Sequence, residues 1–188
     1  MSIYDPDVKL LAAKSQLLMA AELDADDARW AQSPFNWIRS RPSRTKGKIG
    51  EKLVSEFLTE QGFYVTRSPD SEADRVVEGF RVEIKFSTEW QSGAFTFQQI
   101  RDQNYDILIC LGLSPTDASM WAMSKLDIFN AKQLGATGLS NQHGGAAGTE
   151  TMWLSFPATA PPAWLAGHGG KLRAGVTALA KLVGFSPP

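Results

Sequence analysis

The sequence predicts one α/β domain with a mixed central β-sheet flanked by helices, and three observations carry this prediction. Short runs of β-branched and aromatic residues flank Glu78-Gly79, a pair typical of a tight hairpin turn. Before this hairpin, apolar residues recur at helical spacing between residues 45 and 61. After it, the nearly continuous apolar run from Tyr105 to Leu113 is typical of a buried central strand. At 188 residues, the chain is long enough to bury a sizeable core.

Composition narrows the class of protein. The net charge of −1 excludes a strongly basic chain with general affinity for polyanions, although a local basic patch is compatible with it. The single cysteine, Cys110, lies in the predicted central strand, where we expect a small core residue and no intramolecular disulfide. Lys9, Lys14 and Glu22 interrupt the apolar N-terminal stretch, so we expect no signal peptide, no membrane partner and a cytoplasmic location.

The first 44 residues predict a helical arm that ends in a basic loop. Apolar residues at helical spacing indicate a helix from Pro6 to Leu23, and a second short helix follows from Ala25 to Ala31 before Ser33-Pro34 ends it. The loop carries basic residues with no acidic residue among them: Arg39, Arg41, Arg44, Lys46 and Lys48.

The helix that follows begins at Thr45 or Lys46, runs to Gln61 and stops at Gly62. Its inward face is apolar, and Glu51 lies off that face. One interpretation of Glu51 is a first-turn acid that the helix dipole favours. We expect the first core strand directly afterwards, from Phe63 to Arg67.

The hairpin has one apolar and one polar face, because side chains alternate along a strand. A two-residue turn at Glu78-Gly79 places Asp74 opposite Glu83, with Cβ atoms about 4.5–5.5 Å apart, and like charges at that spacing destabilise a sheet. Arg81 and Lys85 offset this repulsion in part, and a bound divalent cation would offset it fully. The apolar face consists of Val77, Phe80, Val82, Ile84 and Phe86.

Two carboxylates and a lysine on one face are what metal-assisted phosphodiester cleavage requires. The order of an acid at a strand start, Asp74, followed by Glu83-Ile84-Lys85 resembles the PD-(D/E)XK nucleases. The literal Pro69-Asp70 pair lies upstream, outside the paired region, so Asp74 is preferred. The resemblance covers Lys46 to Leu113 and implies a restriction-endonuclease-like core in the order helix, strand, hairpin, helix, strand.

The resemblance implies roles for named residues. Asp74, Glu83 and the carbonyl of Ile84 would be ligands of Mg²⁺, for which Mn²⁺ could substitute. Lys85 would be the catalytic lysine. Glu51 would be an auxiliary metal or water ligand, an alternative to the dipole interpretation.

The implied activity is that of a Mg²⁺-dependent DNA endonuclease, most like a restriction endonuclease, acting on double-stranded DNA as a homodimer. The alternatives are a Holliday junction-resolving or DNA-repair nuclease, and a non-catalytic DNA-binding subunit of a larger nuclease. Residues 45–113 would form the nuclease-like core, and residues 114–188 a strand-and-helix extension for DNA recognition or dimerisation. The helical arm is expected to pack against the core, with dimerisation or DNA contact as the alternative.

Contacts to DNA are expected from three regions. The basic run leads onto the helix of Glu51, and its arginines and lysines are candidate phosphate contacts. Gln99 and Arg101 would be phosphate contacts on a helix predicted from Thr96 to Gln103, while Trp90 either stacks on a base or packs in a groove. The glycine-rich loop from Gly135 to Gly148 could read base edges with Asn141, Gln142 and His143, or remain a surface loop.

Overall fold

The computed structural model describes residues 8–15, 25–142 and 151–186. The helices are α1 (8–15), α2 (Ala25–Trp30), α3 (Asn36–Arg39), α4 (Ser43–Glu60), α5 (Lys125–Gln133) and α6 (Leu172–Val183). The strands are β1 (Val65–Arg67), β2 (Arg75–Val77), β3 (Phe80–Thr88), β4 (Ala94–Ile100), β5 (Ile107–Leu113), β6 (Ala118–Ser124), β7 (Leu139–Gln142), β8 (Thr151–Pro157) and β9 (Gly169–Lys171). A short 3₁₀ helix spans Ala163–Gly167.

A six-stranded mixed sheet forms the centre, in the order β1-β2-β3-β5-β6-β9. Its β3 and β5 run parallel, and each other neighbouring pair of this sheet is antiparallel. Every residue of β5 is buried, as its continuous apolar sequence predicts. The predicted α/β class with a mixed central sheet is therefore confirmed, and Cys110 is a buried free thiol in β5 as expected.

Different elements cover the two faces of this sheet. On one face, α4 packs against β3, and α6 packs against β6 and β9. Val54 of α4 and Leu179 of α6 belong to one buried cluster with Ile109 of β5. On the other face, a three-stranded sheet in the order β4-β8-β7 packs against residues such as Leu108 and Trp121, together with Ile128 of α5. Helices thus flank the sheet as predicted, but a second sheet forms most of the second layer.

The predicted helix from Thr96 to Gln103 is wrong, because this segment forms β4. Phe95 and Phe97 are buried at the two-residue spacing of a strand, and Ile100 is buried three residues later. A β-bulge between Phe97 and Ile100 produces this change of spacing. A spacing of three residues is also what a helix shows, and this coincidence made the pattern ambiguous.

The basic run is not a loop, which corrects a second prediction. Arg39 ends α3, and α4 begins at Ser43, so Arg44, Lys46 and Lys48 lie on the first turns of α4. The N-cap of α4 is Pro42, and proline is readily accommodated where a helix begins because the first amide groups lack intrahelical partners. Three of the five basic side chains are therefore carried by a helix that packs on β3, and Arg41 lies between the two helices.

The segment after residue 113 contributes to both sheets. It supplies β6 and β9 to the central sheet, β7 and β8 to the second sheet, and α6 to the helical layer. Phe80, expected in the core, is more than one-third exposed at the end of the hairpin. Within the described residues, none of the helices has both the length and the apolar character needed to cross a membrane.

Candidate active site

The hairpin register places the candidate residues. Val77 pairs with Phe80 and Arg75 with Val82, so the connecting loop is the two-residue turn predicted from sequence. Both turn residues have positive φ angles, 50° at Glu78 and 87° at Gly79, as a type I′ turn requires. Asp74 directly precedes β2 in this register and therefore reaches the position beside Glu83.

Hydrogen bonds hold Asp74, Glu83 and Lys85 together. The amide of Asp74 donates to the carbonyl of Val82 over 3.0 Å, and its Oδ2 accepts from the amide of Ile84 over 2.8 Å. Lys85 and Glu83 lie two residues apart on the same face of β3, and Lys85 Nζ donates to Glu83 Oε1 over 2.6 Å. The structure therefore brings the acid–acid–lysine set of the sequence motif into one site.

Burial raises the pKa of Glu83 above its usual range, because only 7% of the surface of this residue is exposed and its carboxylate is poorly solvated. The nearby ammonium of Lys85 opposes this rise in pKa, whereas the carboxyl group of Asp74 adds to it. The two acids are thus close enough to repel one another, as the hairpin register predicts. Lys85 supplies part of the compensating charge.

Arg75 was not identified from the sequence, yet it links three parts of the site. Its Nε donates to Ser55 Oγ over 2.7 Å, and its Nη1 donates to the carbonyl of Asp74 over 2.6 Å. The same Nη1 lies 3.6 Å from Glu51 Oε2. The guanidinium group therefore fixes α4 relative to the backbone that carries Asp74.

Arg81 does not offset the repulsion between Asp74 and Glu83, which corrects that expectation. Its guanidinium group instead pairs with Asp70 and donates to the carbonyl of Asn104. This pairing lowers the pKa of Asp70, chiefly through the side-chain hydrogen bond. Asp70 is exposed and lies outside the cleft that contains Asp74.

Close packing brings Glu51 to the site. A Cβ atom added to Gly50 would lie 2.4 Å from Phe86 on β3, so only a glycine permits this approach of α4. Glu51 is the ninth residue of α4 rather than part of its first turn, and the dipole interpretation therefore does not apply. Burial raises the pKa of Glu51, Asp74 raises it further, and Arg75 is the first of several cations that oppose the rise.

These groups line a cleft of about 620 Å³ between α4, the hairpin and β4. All of the predicted metal and catalytic residues lie along it: Glu51, Asp74, Glu83, Ile84 and Lys85. Of the predicted DNA contacts, Arg44, Lys46 and Gln99 line it as well. Trp90 and Gln98 also line it, and Gln98 was not singled out from the sequence.

Other predicted DNA contacts lie outside the lining of the cleft. The guanidinium group of Arg39 lies 5.0 Å from the ring centre of buried Trp30, and that of Arg41 lies 5.8 Å from the ring centre of Trp37. Lys48 is exposed on α4, and its charge lowers the pKa of Glu51. Arg101 is exposed just after β4.

The predicted glycine-rich loop is described only in part. Leu139–Gln142 forms β7, in which Asn141 is exposed and pairs with Met152 of β8. The backbone of Gln142 pairs with Thr151, and His143 lies outside the described residues. A separate cavity of about 720 Å³, beyond the end of β3 at Glu89, contains none of the predicted site residues.

The chemistry of the donors in the cleft fits a hard divalent cation, because Asp74, Glu83 and the Ile84 carbonyl offer oxygen ligands. Burial and the neighbouring Asp74 raise the pKa of Glu83, and a cation bound between the two carboxyl groups would oppose that rise. In the part of the chain that the structure describes, no three histidine, cysteine, aspartate or glutamate side chains are grouped so that they could hold a metal ion together. A metal at this position would thus have two carboxylate ligands.

Comparisons with known proteins give similarities to solved structures alone. No family model and no curated protein matches the chain. Among solved structures, the chain is similar to a bacterial homing endonuclease, I-Ssp6803I, with a TM-score of 0.37 and 16% sequence identity. The similarity covers 47% of this chain and 72% of that chain, and it concerns the fold of that part alone.

Proposed function

We propose that this protein is a Mg²⁺-dependent DNA endonuclease that hydrolyses phosphodiester bonds. One observation carries the proposal: Asp74, Glu83 and Lys85 converge on one wall of a cleft, with Lys85 Nζ 2.6 Å from Glu83 Oε1. A buried acid, Glu83, beside a half-buried one, Asp74, is costly for a fold because the two carboxyl groups repel and one is poorly solvated, and such sites are frequent where the charges are used.

Asp74, Glu83 and the carbonyl of Ile84 would hold the Mg²⁺ ion. When bound, the ion supplies Lewis acidity that polarises the phosphate and acidifies a water molecule. Lys85 contributes an ammonium group that can donate to several oxygens at once, so it can hold the attacking water and stabilise the charge that develops on the phosphate.

Glu51 completes the charged lining of the cleft, and Arg75, which lies outside that lining, supports it. Glu51 would orient a water molecule at the edge of the site, and the guanidinium group 3.6 Å away restrains its carboxylate. Arg75 is a positioning residue, because it contacts the Asp74 carbonyl and Ser55 and has no contact with a reacting group in this scheme.

DNA would approach along the first turns of α4. Arg44 and Lys46 line the same cleft as the carboxylates, and the first turn of α4 contains no acidic residue. Cations at this end of a helix are unfavourable for the helix dipole, whereas a bound phosphate would be favourable. Arg39, Arg41, Lys48 and Arg101 would extend the phosphate contacts beyond the cleft.

A symmetric homodimer would present one cleft to each strand of a duplex. Residues 114–188 would then serve DNA recognition or dimerisation around the core of residues 45–113. They supply β7 and β8 beside β4, the strand that lines the cleft, and β7 carries Asn141 and Gln142 at its end. Sedimentation of the purified chain with and without duplex DNA tests the dimer directly.

The test of the activity uses the purified chain with three substrates: plasmid, a branched junction and single strands, each with Mg²⁺ or with chelator. We expect cleavage that requires Mg²⁺ and that is lost in Asp74→Asn. Discrete plasmid fragments would support a restriction-like activity. Junction cleavage alone would support a resolving nuclease, and no metal-dependent cleavage of any substrate would refute the proposal.

A further inference from the structure

One wall of the cleft, lined by residues of β4 and of the loop before it, carries no charged residue. It contains Gln98 and Gln99 of β4 and Trp90 from the loop between β3 and β4. Amides and an indole ring offer hydrogen bonds and a flat aromatic face, which are the groups that bind nucleobases.

The bulge in β4 places both glutamines on the cleft. Successive residues of a regular strand point to opposite faces, so Gln98 and Gln99 would normally diverge. Here Phe97 pairs with Leu154 and Ile100 pairs with Met152, which leaves one extra residue on β4. The extra residue lets Phe97 and Ile100 both remain buried while both glutamines line the cleft.

Gln99 adopts a strained backbone conformation in this bulge, with a φ angle of 57°. A residue with a Cβ atom rarely occupies the left-handed region, and a glycine there would avoid the strain. Strain of this kind is retained mainly where a side chain is needed at a functional position. The side chain of Gln99 is exposed and free to reach a ligand in the cleft.

Trp90 is presented on a short, hydrogen-bonded loop. Its amide donates to the carbonyl of Ala94 over 2.9 Å, and its carbonyl accepts from the amide of Gly93 over 2.8 Å. The loop leads into β4, where the amide of Thr96 donates to Ser87 Oγ over 3.0 Å and so ties β4 to β3. Trp90 nevertheless has 52% of its surface exposed.

We propose that Trp90, Gln98 and Gln99 form a subsite for an unpaired nucleobase adjacent to the phosphate that is cut. The indole can stack only on a base whose face is uncovered, and inside a duplex both faces of every base are covered by neighbours. The amides can hydrogen-bond the edge of the base, which an unpaired nucleotide also exposes. The volume of the cleft, 620 Å³, lies within the range of about 300–1,000 Å³ of small-ligand sites.

This inference rests on the proposed function, because it assumes that the phosphodiester lies against Lys85. It narrows the substrate class to DNA with an unpaired nucleotide, such as a bulge, a mismatch or a branch point. A protein that cuts fully paired DNA without opening it would have no use for the exposed face of Trp90.

The test compares three duplexes of the same flanking sequence. One is fully paired, one carries a single unpaired adenosine, and one carries an abasic nucleotide in place of that adenosine. Binding is measured by fluorescence anisotropy in chelator, so the result does not require cleavage. We expect the full-length chain to bind the unpaired adenosine about 5- to 150-fold more tightly than the abasic nucleotide, the factor that corresponds to stacking of one base on an aromatic side chain.

Variants of the subsite residues test whether they cause the preference for the unpaired adenosine over the abasic nucleotide. Trp90→Ala should abolish the preference, and Trp90→Phe should restore most of it because an aromatic face remains. Gln99→Gly keeps the backbone conformation without the side chain and should lower the preference about 2- to 10-fold, the effect of one lost hydrogen bond. Tyr64→Ala is the control, since Tyr64 is an exposed aromatic residue that does not line the cleft.

Failure of this inference is distinguishable from failure of the proposed function. Equal binding of the adenosine and abasic duplexes, or a preference that survives Trp90→Ala, would overturn the subsite even if plasmid is cleaved with Mg²⁺. Absence of metal-dependent cleavage would refute the nuclease activity, and the binding preference is measured independently of it.

Discussion

The two walls of the cleft are built in opposite ways. The charged wall, formed by α4, Asp74 and β3, contains ionised groups that are held in place by partners. Lys85 donates to Glu83, and Arg75, outside the lining of the cleft, links Glu51 to the Asp74 carbonyl. The wall formed by β4 is uncharged, and a backbone bulge with a left-handed residue at Gln99 shapes it.

The two walls therefore hold their functional side chains in place by two different physical means. Ionised groups in a poorly solvated cleft need partners, so removal of one partner leaves a buried charge and has a large effect. Backbone strain involves one residue and costs little, so its removal has a small effect. The charged wall should therefore be sensitive to mutation, and the uncharged wall should tolerate substitutions while its ligand preference changes.

The largest effect is expected from Lys85→Ala in the charged wall. Cleavage should fall about 100- to 1000-fold, because a donor that stabilises the developing charge is lost, while DNA binding changes little. Lys125→Ala is a matched control, since Lys125 pairs with Asp102 outside the cleft, and it should cleave normally. Single-turnover cleavage and equilibrium binding separate the two effects. Near-normal cleavage by Lys85→Ala would remove the chemistry from this wall.

The second prediction concerns the contact between α4 and β3. Gly50→Ala should destabilise the fold by about 1–3 kcal/mol, because its Cβ would overlap Phe86 and force α4 away from the strand. Gly47→Ala is the matched control on the same helix, where nothing lies within 4 Å of the added atom, and it should be neutral or stabilising. Thermal denaturation of the three proteins measures both changes. Equal stability of the two variants would contradict the close packing.

The third prediction tests whether phosphate contacts belong to the charged wall alone. Replacing Arg44 and Lys46 by alanine should flatten the plot of log affinity against log salt by about 1.8, which is about 0.9 for each phosphate contact. The double variant Gln98→Ala, Gln99→Gly should leave that slope unchanged, because amides release no counterions. Binding to duplex DNA across a salt series measures both slopes. Equal slopes for wild type and the basic variant would place the DNA elsewhere.

The smallest effect is expected from the strain in the uncharged wall. Gln99→Gly should stabilise the fold by less than about 1 kcal/mol, because relief of the left-handed conformation is offset by the flexibility of glycine in the unfolded chain. Gln98→Gly, next to it in the bulge, should instead destabilise the fold by about 0.5–1 kcal/mol, since no positive φ angle is relieved there. Urea denaturation measures the free energy of unfolding of both variants, which should change in opposite directions. Destabilisation of similar size in both variants would show that the backbone at Gln99 is not strained.

Local patterns in the sequence were sufficient for the part of the charged wall that the hairpin forms. The turn at Glu78-Gly79 sets the hairpin register, and the register brings Asp74 beside Glu83 and Lys85, because pairing in a short hairpin depends only on the turn and the alternation of side chains. The buried strand β5 was equally evident from its continuous apolar run. Assignment of these residues to metal binding and catalysis remains a prediction.

The uncharged wall was not predictable in this way. The bulge in β4 changes the spacing of buried residues from two to three, which resembles helical periodicity in the sequence. Pairing with β8, more than fifty residues away, decides that this segment is a strand. The role of Arg75 was missed for a related reason. Its partners Glu51 and Ser55 lie on α4 and precede it by twenty residues or more.

The sequence by itself therefore determined the hairpin, its acidic pair and lysine, the amphipathic α4 and the buried β5, because each depends on neighbours within a few residues along the chain. Only the tertiary structure decided which other groups meet them. The close approach at Gly50 brings Glu51 and the basic turns of α4 to the hairpin, and pairing of β4 with β8 turns two adjacent glutamines toward the same cleft. Contacts of this kind depend on packing between distant segments, which periodicity within one segment does not encode.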